Sequence, residues 1–330
     1  MKELFRLSKS RRNAHWILLA LPLAAMSVGF EPSRPAAGVP MKMGTHWAEP
    51  SDFATLRRLG YTFAIVTVPA DDPTQWAATL EAAAREGLEL VIGVWPNPYH
   101  LRSNGSWRID DAGVDFLLYL KAHPQQIMAV WGFNEPYWTK QDNDVTYPCG
   151  FYSAKDLRRL RTAIRNIWPS AKVYHDLDMP STWAPGGTWW QENSCIGNKY
   201  ADQTLITDYA GIWSYPFDTE RGYTRQASLD LIANEVQFVK AHMAPAKPVV
   251  LGQAFSSSDG QYFPTPSELQ DWSCSLRSLG VETVSWYAWR QDLYPDDLAH
   301  HPAHWQATVP WPCAIRSGHG CYSPIEEGGR

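Results

Sequence analysis

Three junctions in this chain repeat one local pattern: a helical stretch, a glycine, then a continuous apolar run. They are Arg57-Arg58-Leu59-Gly60 before YTFAIVTV, Ala84-Arg85-Glu86-Gly87 before LELVIGVW, and Leu276-Arg277-Ser278-Leu279-Gly280 before VETVSWYAW. Glycine just past a helix suits the left-handed cap, and a run apolar on both faces suits a parallel strand covered by helices. The repeating unit is therefore helix, tight turn, buried strand. Extended along the chain, it yields eight candidate strands with C-terminal ends near Trp47, Val68, Trp95, Glu135, Asp178, Tyr215, Gln253 and Trp289. Their mean spacing of about 35 residues matches one strand, one helix and their loops.

The intervening segments read as amphipathic helices. Leu157, Leu160, Ile164 and Ile167 keep a three-four spacing, as do Leu229, Ile232, Val236 and Val239. Helix starts are marked by Asp72-Pro73, by Ser153 with Asp156, and by Thr265-Pro266 with Glu268. Eight alternating units imply an α/β chain folded as a single (β/α)8 TIM barrel. The length of 330 residues fits either two ordinary domains or one such barrel with insertions. No linker divides it, so the barrel is placed at 39–299.

Charge and termini bound the partners. Residues 1–27 carry Lys2, Arg6, Lys9, Arg11 and Arg12 against Glu3, followed by an apolar run from Trp16 to Phe30 with Ala25 and Ser27 as a cleavage pair. This segment reads as a signal peptide or N-terminal anchor, followed by a linker at 28–38, and implies a secreted or periplasmic protein. Without it the chain keeps 24 basic and 33 acidic residues, a net charge near −9. An acidic chain with no basic stripe argues against nucleic acid, and against a membrane beyond that anchor. A monomer is expected.

Five cysteines lie beyond residue 148 with no metal-ligand spacing, which in an exported chain points to disulfides. The expected pairs are Cys313 with Cys321, in a C-terminal tail at 300–330, and Cys149 with Cys195, leaving Cys274 unpaired on a helix.

In such a barrel the chemistry sits at the C-terminal ends of the strands. There the sequence places His46-Trp47, Trp95 with Asn97 and His100, Asn134-Glu135, His175 with Asp176 and Asp178, Tyr215, Gln253, and Trp286 with Trp289. Polar groups mixed with large aromatics describe a cleft for a polyhydroxylated ligand, because sugar rings offer C–H faces to stack and hydroxyls to hydrogen-bond. A poly- or oligosaccharide is the expected partner. His46, Trp47, Trp95, Asp178, Trp286 and Trp289 are its candidate contacts. Neither a cofactor nor a metal is expected: His46, His100 and His175 lack ligand spacing, and sugar contacts explain the same residues.

The sharpest motif is VWGFNEP at 130–136, followed by Tyr137-Trp138. Asn-Glu-Pro at the end of a fourth strand resembles the acid/base motif of glycoside hydrolase clan A, the barrel enzymes that include cellulases, mannanases and β-1,3-glucanases. The resemblance implies that Glu135 is the general acid/base and that Asn134 hydrogen-bonds the sugar 2-hydroxyl. Protonating a glycosidic oxygen needs a carboxylic acid whose pKa is raised by apolar surroundings, which Trp131, Phe133 and Trp138 can supply.

The clan's nucleophile ends the seventh strand, and in VVLGQAF at 249–255 that position holds Gln253. An amide cannot form the covalent glycosyl intermediate of a retaining hydrolase. Three readings follow: inverting hydrolysis with Asp176, Asp178 or Asp218 as base, Glu192 being a further candidate; attack by a substrate N-acetyl group; or binding without cleavage. In this scheme Gln253 orients a water or the substrate. The resemblance gives Tyr215, in GIWSYPFD, a role near the anomeric centre, with a core-edge tyrosine as the plain alternative. It makes one tryptophan of SWYAWRQD, Trp286 or more readily Trp289, the floor of the sugar subsite; the choice depends on strand register. The segment from Met179 to Tyr200 and the strand-four loop from Tyr137 to Gly150 are expected to wall the cleft.

Overall fold

The protein was analysed as a computed structural model, which describes residues 41–134, 140–142, 145–147, 152–177, 204–214, 225–256, 262–290, 296–308, 314–315 and 321–322. The targeting segment and the linker lie outside them, as do both expected cleft walls apart from two short strands at 140–142 and 145–147. The described residues belong to the compact unit Arg34–Arg330. None of their helices is long and apolar enough to cross a membrane.

Eight parallel strands form the centre: β1 Lys42–Thr45, β2 Phe63–Pro69, β3 Glu89–Trp95, β4 Ile127–Asn134, β5 Val173–Asp176, β6 Tyr209–Ser214, β7 Lys247–Gln253 and β8 Thr283–Tyr287. They pair in the order β1-β8-β7-β6-β5-β4-β3-β2. The seam between β1 and β2 is bridged at His46 and Ile65, where the Trp47 N–H donates to the Ile65 carbonyl at 3.0 Å. The eight strand ends expected from sequence fall within two residues of those observed.

Outside the ring run α1 Phe53–Leu59, α2 Pro73–Glu86, α3 Asp111–Ala122, α4 Ala154–Ile167, α5 Arg225–His242 and α6 Pro266–Ser278. Their ends follow the local chemistry. Gly60 and Gly87 cap α1 and α2 in the left-handed region, at φ 92° and 67°. Ser153 with Asp156 and Thr265 with Glu268 form reciprocal capping boxes on α4 and α6. The connection from β5 to β6 lies largely at 178–203, outside the described residues. After β8 the described chain turns through 3-10 segments, Leu298–His300 and Pro302–Thr308.

Alternation within the strands divides the core into two layers. Ala64, Val66, Leu90, Ile92, Val130, Val173, Ile212, Val250 and Val284 face the helices; Phe63, Ile65, Val91, Ala129, Trp131, Tyr174, Val249 and Leu251 fill the ring. Both faces are thus covered, which is why the strands read as unbroken apolar runs. At the N-terminal face of the ring, Asp208 accepts from Arg161 Nε at 3.2 Å, from Arg161 and Arg165 guanidinium nitrogens at 2.8 and 3.0 Å, and from the Val173 N–H at 2.9 Å. This clamp joins α4, β5 and the start of β6.

Candidate functional site at the barrel mouth

The inward residues nearest the C-terminal strand ends set the floor of the mouth. β1 delivers His46, whose Nδ1 lies 3.0 Å from Ser285 Oγ on β8 and whose Nε2 lies 3.7 Å from Asp176 Oδ1 on β5. Asp176 also accepts the Tyr174 hydroxyl. His46 and Asp176 are both 99% buried, so a polar chain of serine, histidine, carboxylate and phenol crosses the top of the ring. Gly211 on β6 makes this geometry feasible, because a side chain there would collide with Tyr174 Oη and Asp176 Oδ1.

Aromatic rings surround that chain. Tyr287 packs on Trp213 (centroids 5.9 Å apart), on Phe255 (5.5 Å) and on His46 (5.4 Å). His46 meets Trp131 edge-on at 5.8 Å, and Trp131 meets Trp47 at 5.7 Å. Trp47 sits at φ 61°, a left-handed conformation that costs a bulky residue on the order of 1–3 kcal/mol and is retained mostly at functional positions. At the end of β3, Trp95 is 67% exposed. Across the ring, Tyr262 in the loop after β7 is 38% exposed. The mouth therefore pairs polar groups on its floor with aromatic faces at its rim.

Gln253 ends β7 as expected, fully buried, and its amide is committed to the backbone. Nε2 donates to the Tyr262 carbonyl at 3.0 Å and lies 3.4 Å from that of Phe255. Two carbonyl partners fix which end of the amide carries nitrogen. A carboxylate here would meet acceptors with no proton to offer. Gln253 thus has a structural role: it ties the end of β7 to the backbone at Phe255 and Tyr262.

With this geometry in view, the comparisons are specific about fold. No family model matches the chain, and no curated protein matches it in sequence. Among solved structures it is similar to the endo-β-1,4-mannanase from Thermotoga petrophila, at 13% identity over 80% of this chain and 73% of that one, with a TM-score of 0.50. The barrel is one that glycoside hydrolases share. Two further neighbours are the exo-β-1,4-mannosidase Op5Man5 from Opitutaceae bacterium strain TAV5 (14% identity, 83% of this chain, TM-score 0.48) and an endocellulase from Pyrococcus horikoshii (11%, 77%, 0.47). The chain spans 56% of the exo-mannosidase and 80% of the endocellulase.

The shared barrel makes the departures informative. Trp286, expected as a sugar floor, is fully buried on the outer face of β8, where its Nε1 donates to the Thr308 carbonyl at 2.8 Å. Trp289 also turns outward, packed edge-on against Tyr61 and 5.3 Å from Trp305, and is 1% exposed. Alternation along β8 puts Trp286 outside and Tyr287, which was not among the expected contacts, inside; Trp289 lies past the end of the strand at Tyr287, where alternation no longer assigns a face. His175 faces outward as well. Its Nδ1 accepts the Phe133 N–H at 3.0 Å, and burial pushes its pKa down to about 3, so it is a neutral structural imidazole. Phe133 packs in the outer layer with Tyr99, Trp107 and Tyr152, not toward the mouth. Asn97 closes its own turn, its Oδ1 accepting the Tyr99 N–H at 2.9 Å, and ties that turn to β4 by donating to the Gly132 carbonyl at 3.3 Å. His100 lies on the hairpin Tyr99–Leu101/Trp107–Ile109, 3.5 Å from Asp110.

Asn134 ends β4 in register with Asp176. Glu135, Asp178 and Tyr215 lie outside the described residues, as do Glu192 and Asp218. Cys274, expected to be unpaired, is a disulfide cysteine, so the pairing scheme drawn from spacing does not hold as written. Among the described residues no three His, Cys, Asp or Glu side chains gather as a metal set. His300 and His301 pair with Asp297 and Asp296 at 2.7 and 2.9 Å, and Ser256 donates to Asp296 at 2.8 Å, which links the loops after β7 and β8.

Proposed function

We propose that the protein is an exported, monomeric glycoside hydrolase acting on a β-linked poly- or oligosaccharide at the mouth of its barrel. Glu135 is the general acid in this reading, and Asn134 holds the sugar 2-hydroxyl. Tyr215 stands near the anomeric centre, and Trp47, Trp95 and Asp178 contact neighbouring sugar units. The observation that carries the reading is Trp95, two-thirds exposed at a strand end, above a floor of buried polar groups ringed by aromatics. Such a surface suits a ligand with alternating C–H faces and hydroxyls. The reaction needs one acid to protonate the leaving oxygen and a second group to supply or activate the nucleophile. With Gln253 tied to the loop carbonyls, the reading requires a single displacement by water or assistance from a substrate acetamide.

The same commitment of Gln253 favours a second reading, a barrel that binds glycan without cleaving it. Glu135→Gln separates the two. A hydrolase loses about 10³-fold in turnover, within the range for general acid catalysis, while affinity by titration calorimetry holds within a few-fold. If no glycan in a β-linked panel is cleaved by the wild type, and affinity is equal in both proteins, the binding reading stands.

A further inference from the structure

Among the described residues, the inward C-terminal strand ends carry one carboxylate, Asp176. It lies level with Asn134 on the adjacent strand and is held from one side only. Oδ1 takes the Tyr174 hydroxyl and faces His46 Nε2, whereas Oδ2 is buried with no hydrogen-bond partner among the described residues. Three donors or acceptors of the same layer are in the same condition: His46 Nε2, Trp47 Nε1 and Trp131 Nε1. Leaving a buried polar atom unpaired costs about 1–3 kcal/mol, more for a charged group, and a folded protein tolerates such costs mainly where a ligand or water completes the set. Four of them toward the C-terminal strand ends, beside the rings of Trp47, Trp131 and Tyr287, mark a place suited to a polar guest.

We propose that Asp176 is the second catalytic carboxylate, the general base of an inverting hydrolysis, an assignment that rests on the hydrolytic reading above. A water oxygen bonds to the anomeric carbon while its proton passes to Asp176 Oδ2. The glycosidic C–O bond breaks with its electron pair on the leaving oxygen, and that oxygen takes the proton of Glu135. Both carboxyls then re-equilibrate with solvent. Tyr174 is a positioning residue: by donating to Oδ1 it leaves Oδ2 for the water, while His46 Nε2 stands 3.7 Å from Oδ1 on the other side. Gly211 is part of the device, since no larger residue leaves room for the Tyr174–Asp176 contact.

The test uses the full mature chain on the glycan that it cleaves. Proton NMR in the first minutes of hydrolysis is expected to show product of inverted anomeric configuration. Asp176→Ala is expected to lose about 10³-fold in kcat with affinity within three-fold of wild type. Sodium azide should restore turnover to this variant and yield a glycosyl azide of inverted configuration, because the small anion occupies the space of the lost carboxylate. Where Asp176→Ala fails to fold, Asp176→Asn keeps the shape and the Tyr174 contact and is held to the same loss. Retained configuration, or a folded variant with more than a tenth of wild-type kcat, overturns the assignment alone. A wild-type protein that releases no sugar from any β-linked glycan overturns the hydrolytic reading, and the assignment with it.

Discussion

Gln253 is the residue at which sequence and structure inform each other most. The chain shows an amide where a nucleophilic carboxylate is expected, but not what the amide does, because its partner Tyr262 lies nine residues on and no pattern in the sequence announces the contact. Gln253→Glu therefore does not regenerate a retaining enzyme. It removes two donated N–H contacts and sets a carboxylate against two carbonyls, at a cost of about 2 kcal/mol at pH 7. The expected result is a Tm lower by roughly 5 °C at pH 7. Part of that loss returns as the pH falls, because a protonated carboxyl can donate to the Tyr262 carbonyl. Calorimetric unfolding at pH 7 and pH 5 checks it; an unchanged Tm with new retaining turnover contradicts it. Trp286, Tyr287 and Trp289 show the opposite limit. Three aromatics in four positions of SWYAW carry no alternation, so inside and outside were not legible there, and only the ladder with β7 and β1 fixes Tyr287 as the inward ring.

At the scale of elements, legibility was high for a physical reason. Parallel strands buried on both faces make unbroken apolar runs, and helices that stop at glycine or start at a capping box announce their ends. Cysteine pairing was not legible, because spacing says nothing of which loops approach α6. The Asp208 clamp was equally hidden: Arg161 and Arg165 sit on the polar face of α4, and their partner is 43 to 47 residues away. Burial by itself raises the Asp208 carboxyl, but the hydrogen bonds from Arg161 and Val173 and the two guanidinium charges outweigh it and hold the group below the ordinary carboxylate range. A depressed pKa stabilises the fold above the unfolded-state value, about 3.9, and that stabilisation is lost as pH falls through the folded-state value. Asp208→Asn is expected to cost about 3 kcal/mol at pH 7. Urea unfolding should show this difference flat above pH 5 and shrinking below pH 4. A difference that grows on acidification contradicts the assignment.

For the molecule as a whole, eight strands carry residues remote in sequence to one rim: His46 from β1, Trp95 from β3, Asn134 from β4, Asp176 from β5 and Tyr287 from β8. That convergence, and not any one motif, makes the mouth a candidate site. The NEP motif marks a position on the ring, the end of β4, where the described chain places Asn134. Hydroxyl-radical footprinting with and without a bound β-linked oligosaccharide tests the convergence most directly. Trp95 and Tyr262, exposed on opposite sides of the rim, should be protected several-fold by the ligand, while Leu118, 46% exposed on the flank of α3, should be oxidised equally in both states. Protection of Leu118 with none at Trp95 and Tyr262 would place the glycan elsewhere and contradict the account.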